Sequence, residues 1–253
     1  MWLNGGSTMR SAVSALAPGP GPFELKLSSF SPLTAQDLLQ ARAELCDLQD
    51  HPARSELMSG STPAVRLVTA GWVGVTRVLP DGRRQILQLA LAGDLVTCPP
   101  LSEVVMVALS DARSFNAGPL VESLDRKPVR SAISQAMLAA ERELQADLLN
   151  HAVRLGSLTA YERTANFIVE LVRRYSRVGL CDGGRIPWPA TQEVLSHILG
   201  LSIVHVNRML QHLRQDKLIT TRLGTLTVLD IERLEAIAMI AEDVGLRRTG
   251  STG

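Results

Sequence analysis

The chain has 253 residues, of which 45% are hydrophobic and 20% charged, so it can bury a sizeable core and is not globally disordered. Lys and Arg number 26 against 25 Asp and Glu, which excludes a histone-like or acidic-tail protein and confines any nucleic-acid surface to a local patch. Cys46, Cys98 and Cys181 lie far apart with no Cys-x-x-Cys pair, which leaves a disulfide scaffold, a zinc ribbon and a cysteine-ligated cluster without ligands.

No run of about 18 apolar residues reads as a membrane-crossing helix. Residues 1–22 are rich in Gly and Pro and read as a flexible tail, with Met9 as a candidate natural start. The stretch Ser11–Ala17 after Arg10 is weakly apolar and barely reaches the shortest length of a signal-peptide core. Leu33–Leu48 reads as a short helix, with Ser31 or Thr34 as cap and Leu38, Leu39 and Leu45 on one side.

From Ala64 to about Leu124 the pattern turns to strands. The runs are Ala64–Thr69, Trp72–Leu79, Arg84–Ala90, Leu95–Thr97, Val104–Leu109 and Ala112–Phe115. Asp81-Gly82 between two of them is a hairpin signal, and the series suggests a small barrel or jelly roll.

Helical periodicity takes over at about Val129. Ile133, Met137, Ala140, Leu144, Leu148, His151 and Leu155 recur at alternating spacings of three and four, a narrow seam that suits a dimer helix. A second helix, Ala160–Arg177, follows the break at Gly156-Ser157.

Pro187–Asp230 carries the chemistry. Thr191 caps a helix over Gln192–Leu199, Gly200 ends it, and Ser202 caps a second helix over Ile203–Gln215. Leu195, Ile198, Leu199, Val206, Met209, Leu210 and Leu213 face inward, and Ser196 is small where the helices cross. The open face of the second helix shows Val204, His205, Asn207, Arg208 and Gln211. Asn and Arg are the side chains that pair bidentately with adenine and guanine edges. Leu218–Arg222 and Thr225–Leu229, joined by Leu223-Gly224, form a wing. Between Arg185 and Arg222 five basic residues face two acids, the footprint of a DNA reader.

Over about Leu33–Ile240 the sequence resembles the Crp–Fnr superfamily of bacterial transcription regulators. The likeness rests on Gly71-Trp72, Leu79–Leu87 (LPDGRRQIL), Gly93–Val96 (GDLV), the long central helix and Thr191–Ile219 (TQEVLSHILGLSIVHVNRMLQHLRQDKLI). It implies an α+β chain in successive parts. A tail at 1–22 precedes a jelly-roll-like β-roll of cyclic-nucleotide-binding-like fold at 23–125. A central dimerisation helix at 126–157, a winged helix-turn-helix at 158–245 and a tail at 246–253 follow. It further implies a cytoplasmic homodimer that reads a pseudo-palindrome in double-stranded DNA and meets RNA polymerase. The family's base-reading positions fall on Val204, Asn207 and Arg208, and its phosphate-contacting positions on Thr191, Gln192, Ser202 and His205. Many relatives carry Glu at the position of Val204, and Val cannot accept a hydrogen bond from cytosine, so the half-site should differ.

Cyclic-nucleotide binders hold the phosphate with Arg and Ser or Thr, and Val96–Leu109 offers no Arg. Cys46 and Cys98 are too few for an iron–sulfur sensor, and no His stands between His51 and His151 to hold haem or a jelly-roll enzyme's metal. Cys98 reads as a small core or loop residue, His197 and His212 as surface residues, Trp72 as roll packing and Trp188 as a pin before the helix-turn-helix. No catalytic motif occurs. No cofactor, metal or membrane is expected, and the effector is open. The alternative reading is a ligand-sensing or protein-interaction module that uses the roll and keeps weakened DNA binding.

Overall fold

The computed structural model describes residues 20–59, 64–98, 101, 103–126 and 131–239. Residues 1–19 of the expected N-terminal tail and the expected tail at 246–253 lie outside them. Two short helices open the described chain, α1 (Pro22–Ser28) and α2 (Ala35–Ala43). Thr34 caps α2 in a reciprocal box with Asp37.

Eight strands follow: β1 (Cys46–His51), β2 (Glu56–Ser59), β3 (Ala64–Ala70), β4 (Val73–Val78), β5 (Arg84–Ala90), β6 (Leu95–Cys98), β7 (Val104–Ala108) and β8 (Ala112–Asn116). They pair into two four-stranded sheets, β1-β8-β3-β6 and β2-β7-β4-β5, antiparallel throughout. Val68, Val96 and Ala112 of one sheet pack against Val73, Val75, Ala90 and Met106 of the other. This is the roll expected from the sequence, and Cys98 is buried in it.

Three boundaries differ from expectation. The helix over Leu33–Leu48 stops at Ala43, because the chain turns at Glu44 and Asp47, the latter at φ 48°, and Cys46–His51 pairs with β8 as an edge strand. Residues 21 and 22 are not tail: Pro22 opens α1, whose Phe23 and Leu27 sit one turn apart and are buried in a cluster with Ile133 and Ala136. The central helix does not begin at 126. Gly118–Asp125 is a separate helix, α3, and Ser131 caps α4 (Ala132–Ser157) by accepting from the Ser134 amide at 3.3 Å.

The remaining elements are α5 (Ala160–Arg177), β9 (Arg185–Pro187), α6 (Gln192–Leu199), α7 (Ile203–Gln215), β10 (Ile219–Arg222), β11 (Thr225–Val228) and α8 (Ile231–Ile237). β10, β11 and β9 form a small antiparallel sheet.

Part of the expected dimer seam on α4 packs on the chain's own body, while Leu148 is 40% exposed. Ile133 is buried, and Met137 and Ala140 pack beside it against the roll and α1. Leu144, Leu148 and His151 line a cleft with Ile86–Leu89 of β5, and a His151 ring nitrogen lies 3.2 Å from the Ile86 carbonyl oxygen. Leu155 packs where a side chain on Gly200 would stand. Periodicity marks an apolar stripe without saying what covers it, and here the roll, α1 and the end of α6 cover only part of it. A different stripe is open: Leu138, Leu149 and Val153, with Leu149 69% exposed. On a 3.6-residue period these three lie about two-fifths of a turn around from the first stripe.

The roll and the C-terminal unit share one core. Trp72, Ile86, Leu89 and Leu91 of the roll join Phe167, Ile168, Trp188 and Ile198. Trp72 packs outside the roll rather than within it. Its indole meets Trp188 edge-on at 5.9 Å and donates to the Tyr175 hydroxyl at 2.7 Å.

Buried charges tie the same junction. Arg154, 2% exposed, donates to Glu170 and to Asn166, and Arg174 donates to Glu170, to Asp94 and to the Leu89 carbonyl. Burial alone would raise the Asp94 carboxyl, yet Arg174 and Lys26 hold it at about 2.

Candidate nucleic-acid interface

Local chemistry builds the helix-turn-helix. Thr191 Oγ1 accepts from the Val194 amide at 3.2 Å and starts α6. Gly200 ends it at φ 61°, a left-handed conformation in which glycine has no Cβ to clash, and the Leu201 amide donates back to the Ser196 carbonyl at 3.2 Å. Ser202 Oγ then accepts from the His205 amide at 3.3 Å and starts α7. Leu195, Ile198, Leu199, Val206, Met209, Leu210 and Leu213 are all buried, as the periodicity predicts.

With that face locked, the opposite face of α7 is held open. Val204 is 76% exposed, His205, Arg208 and Gln211 are exposed, and Asn207 is half-buried. Thr191 and Gln192 are exposed at the start of α6, and Ser202 at the start of α7. Both helix starts therefore lie on accessible surface, where amide N–H groups and the positive end of the helix dipole favour an anion. The Thr191 hydroxyl uses a lone pair for its cap and keeps its proton to donate. Ser202 Oγ also lies 3.2 Å from His205 Nδ1, so these two side chains act as one polar unit. Arg185, Arg208, Arg214, Lys217 and Arg222 are all exposed, which leaves their charge at the surface.

Four positioning residues were not singled out by sequence. Arg163 on α5 donates to the carbonyls of Leu199, Leu155 and Leu158 at 2.9, 2.9 and 3.1 Å, joining the C-terminal ends of α6 and α4. The Tyr161 hydroxyl donates to Asp216 at the end of α7. Its burial and that bond push its pKa up to about 12. Arg214 donates to Thr221 Oγ1 at 3.0 Å and couples α7 to the wing. Arg54, from the loop before β2, pairs with Glu193 at 2.7 Å. Their partners lie on other elements of the fold, so no spacing along one element marks them.

A Crp-like helix-turn-helix domain model matches residues 162–237. The transcriptional activatory protein AadR of Rhodopseudomonas palustris is 29% identical over 167 residues, 64% of this chain and 68% of that protein. The nitrogen fixation regulation protein FixK of Bradyrhizobium diazoefficiens is 28% identical over 185 residues, 68% of this chain and 72% of that one. Among solved structures, FixK2 of Bradyrhizobium japonicum superposes with a TM-score of 0.65 at 23% identity, covering 77% of this chain and 98% of FixK2. A CooA mutant of Carboxydothermus hydrogenoformans superposes at 0.60 with 19% identity, covering 91% and 99%. At these identities the superpositions show a shared fold. No helix among the described residues is long and apolar enough to cross a membrane.

Proposed function

Because the chain belongs to the Crp–Fnr superfamily and is a transcription regulator rather than an enzyme, we propose that it binds a pseudo-palindromic duplex as a homodimer in the cytoplasm, one α7 in each of two successive major grooves. The observation that carries this reading is α7 itself: one face is fixed in the core, while Val204, Asn207 and Arg208 stand on the free one. In this reading Arg208 forks onto the two acceptors of a guanine edge, Asn207 pairs with adenine, and Val204 packs on a thymine methyl. Thr191, Gln192, Ser202 and His205 hold phosphates at the two helix starts and fix the register without reading bases. RNA polymerase is the further partner.

The dimer contact lies on α4, with two candidate faces, the seam Ile133, Met137, Ala140, Leu144, Leu148, His151 and Leu155 and the open stripe Leu138, Leu149 and Val153; the greater exposure of Leu149 and Val153 in the single chain favours the second. The roll is read as using neither a cyclic nucleotide nor an iron–sulfur cluster. The reading rests on Val96–Leu109, which offers no Arg for a cyclic phosphate, and on cysteines numbering three and lying far apart.

Affinities for single-base variants of the bound site, at one salt concentration, test the reading. Arg208→Ala costs about 1–3 kcal/mol on the best site and flattens preference at one base pair per half-site. Gln192→Ala weakens all variants alike. Unchanged relative affinities in Arg208→Ala remove Arg208 from the reading set.

A further inference from the structure

One sheet of the roll turns polar side chains inward. Along β3, Val65 and Leu67 pack outward in a cluster with α1 and α4, while Val68 points between the two sheets. Alternation along a strand therefore puts Arg66 on the inner face with Val68. Gln49 and His51 of β1 share that face, since they pair with Ser114 and Ala112 of β8 and Ala112 lies in the inner core. Arg66 reaches across β8 to β1, where its Nη2 donates to Gln49 Oε1 at 2.6 Å. Its other terminal nitrogen, Nη1, is buried with no hydrogen-bond partner among the described residues.

Arg66 is only 9% exposed, yet its one hydrogen-bond partner is neutral, and Asp47 acts on it only through space. Arg154 and Arg174, as deeply buried, both pair with Glu170, and Arg174 pairs with Asp94 as well. A buried cation without a counter-charge is costly, because nothing replaces the water it gave up. Its surroundings register that charge. Burial, and then the Arg66 charge, push the His51 pKa down, and burial lowers the pKa of Arg66 itself. His51 and Ser114 are both buried, with His51 Nε2 2.9 Å from Ser114 Oγ. Gln49 instead is exposed on the outer strand of the sheet. With Oε1 accepting from Arg66, its amide nitrogen still has protons to donate.

We propose that Arg66 and Gln49 hold a small oxyanion, a carboxylate or inorganic phosphate, inside the β1 edge of the roll, with His51 and Ser114 lining its inner end. Arg66 donates from Nη1 and supplies the counter-charge, and Gln49 donates its amide from the rim, where rotation of that one surface side chain opens the site. The site draws no residue from Val96–Leu109, the segment in which cyclic-nucleotide binders hold their phosphate. It is independent of the DNA-binding reading and gives the roll a ligand of its own.

Melting curves of the full chain in sodium phosphate, acetate and succinate, against sodium chloride at equal ionic strength, test the inference. At least one oxyanion should raise the melting temperature with the logarithm of its concentration, and the comparison of phosphate with the two carboxylates tells which class fits. Calorimetric titration with that oxyanion then compares variants. Arg66→Gln, which removes the charge and keeps a polar partner for Gln49, should bind at least about tenfold more weakly. Gln49→Ala changes an exposed edge position, so it leaves the fold intact and should bind about threefold more weakly. No oxyanion that exceeds chloride overturns the inference and leaves Nη1 to water. Wild-type affinity in both Arg66→Gln and Gln49→Ala also overturns it, since the anion then binds elsewhere.

Discussion

Two stripes on one helix make the dimer contact a sharp test. Replacing Leu149 and Val153 together with Lys alters side chains that are 69% and 55% exposed in the single chain. Surface changes of this kind move the stability of the chain itself by only about 0.5 kcal/mol. In a dimer across the open stripe, four apolar side chains are buried, each worth about 1–2 kcal/mol on removal from water. Losing them removes about 4–8 kcal/mol, and four lysines facing one another in that seam add an uncompensated desolvation cost. A nanomolar dimer would then dissociate at any ordinary assay concentration. Ile133→Ala acts in the opposite way. Ile133 is 3% exposed in the chain's own core, so its loss costs about 2–5 kcal/mol of folding stability. Analytical ultracentrifugation with melting curves separates the two: Leu149→Lys/Val153→Lys should be a folded monomer, and Ile133→Ala a less stable dimer. A Leu149→Lys/Val153→Lys variant that still sediments as a dimer refutes the assignment.

Cyclic AMP or cyclic GMP at millimolar concentration should leave the melting temperature and DNA affinity unchanged, because any ligand of the folded state raises stability with the logarithm of its concentration; a concentration-dependent rise contradicts this. Burial pushes the Asp147 carboxyl up despite Arg174 and Arg173, so its charged form is disfavoured in the fold. Its folded value lies above its unfolded one, and the wild type gains stability from this group as pH falls through the folded value. Asp147→Asn should therefore melt higher than wild type near pH 7, with the gap closing as pH falls. A variant that melts lower at every pH shows instead that the pairing with Arg173 dominates.

The parts legible in the sequence are those whose causes are local. Thr191, Gly200 and Ser202 mark α6 and α7 because each residue's own chemistry ends or starts a helix. The β4–β5 hairpin is legible for the same reason: the Leu79 amide donates to the Arg83 carbonyl at 2.8 Å around Asp81-Gly82. β1 was hidden because Cys46–His51 is polar, carries a register irregularity and lies at a sheet edge, where alternation is weak. The seam on α4 shows the deeper limit. Ile133 is buried by the chain's own α1 and roll while Leu148, on the same spacing, stays 40% exposed, because spacing does not say which neighbour meets each position. Arg154, Glu170 and Arg174 look in sequence like solvated helix charges, and only the docking of β5 and α5 buries them. The base-reading face was legible as a face, while Arg163 and Tyr161, which hold its helices in place, depend on partners far along the chain.

The central claim is that this chain reads a specific duplex through α7 as a symmetric pair. Selection of bound sequences from random double-stranded DNA by the full-length protein tests it most directly. The account predicts enrichment of an inverted repeat with half-site centres about one helical turn, 10 base pairs, apart, and a guanine in each half that Arg208→Ala no longer selects. Enrichment of no sequence, or of a single unrepeated site indifferent to Arg208, would contradict it.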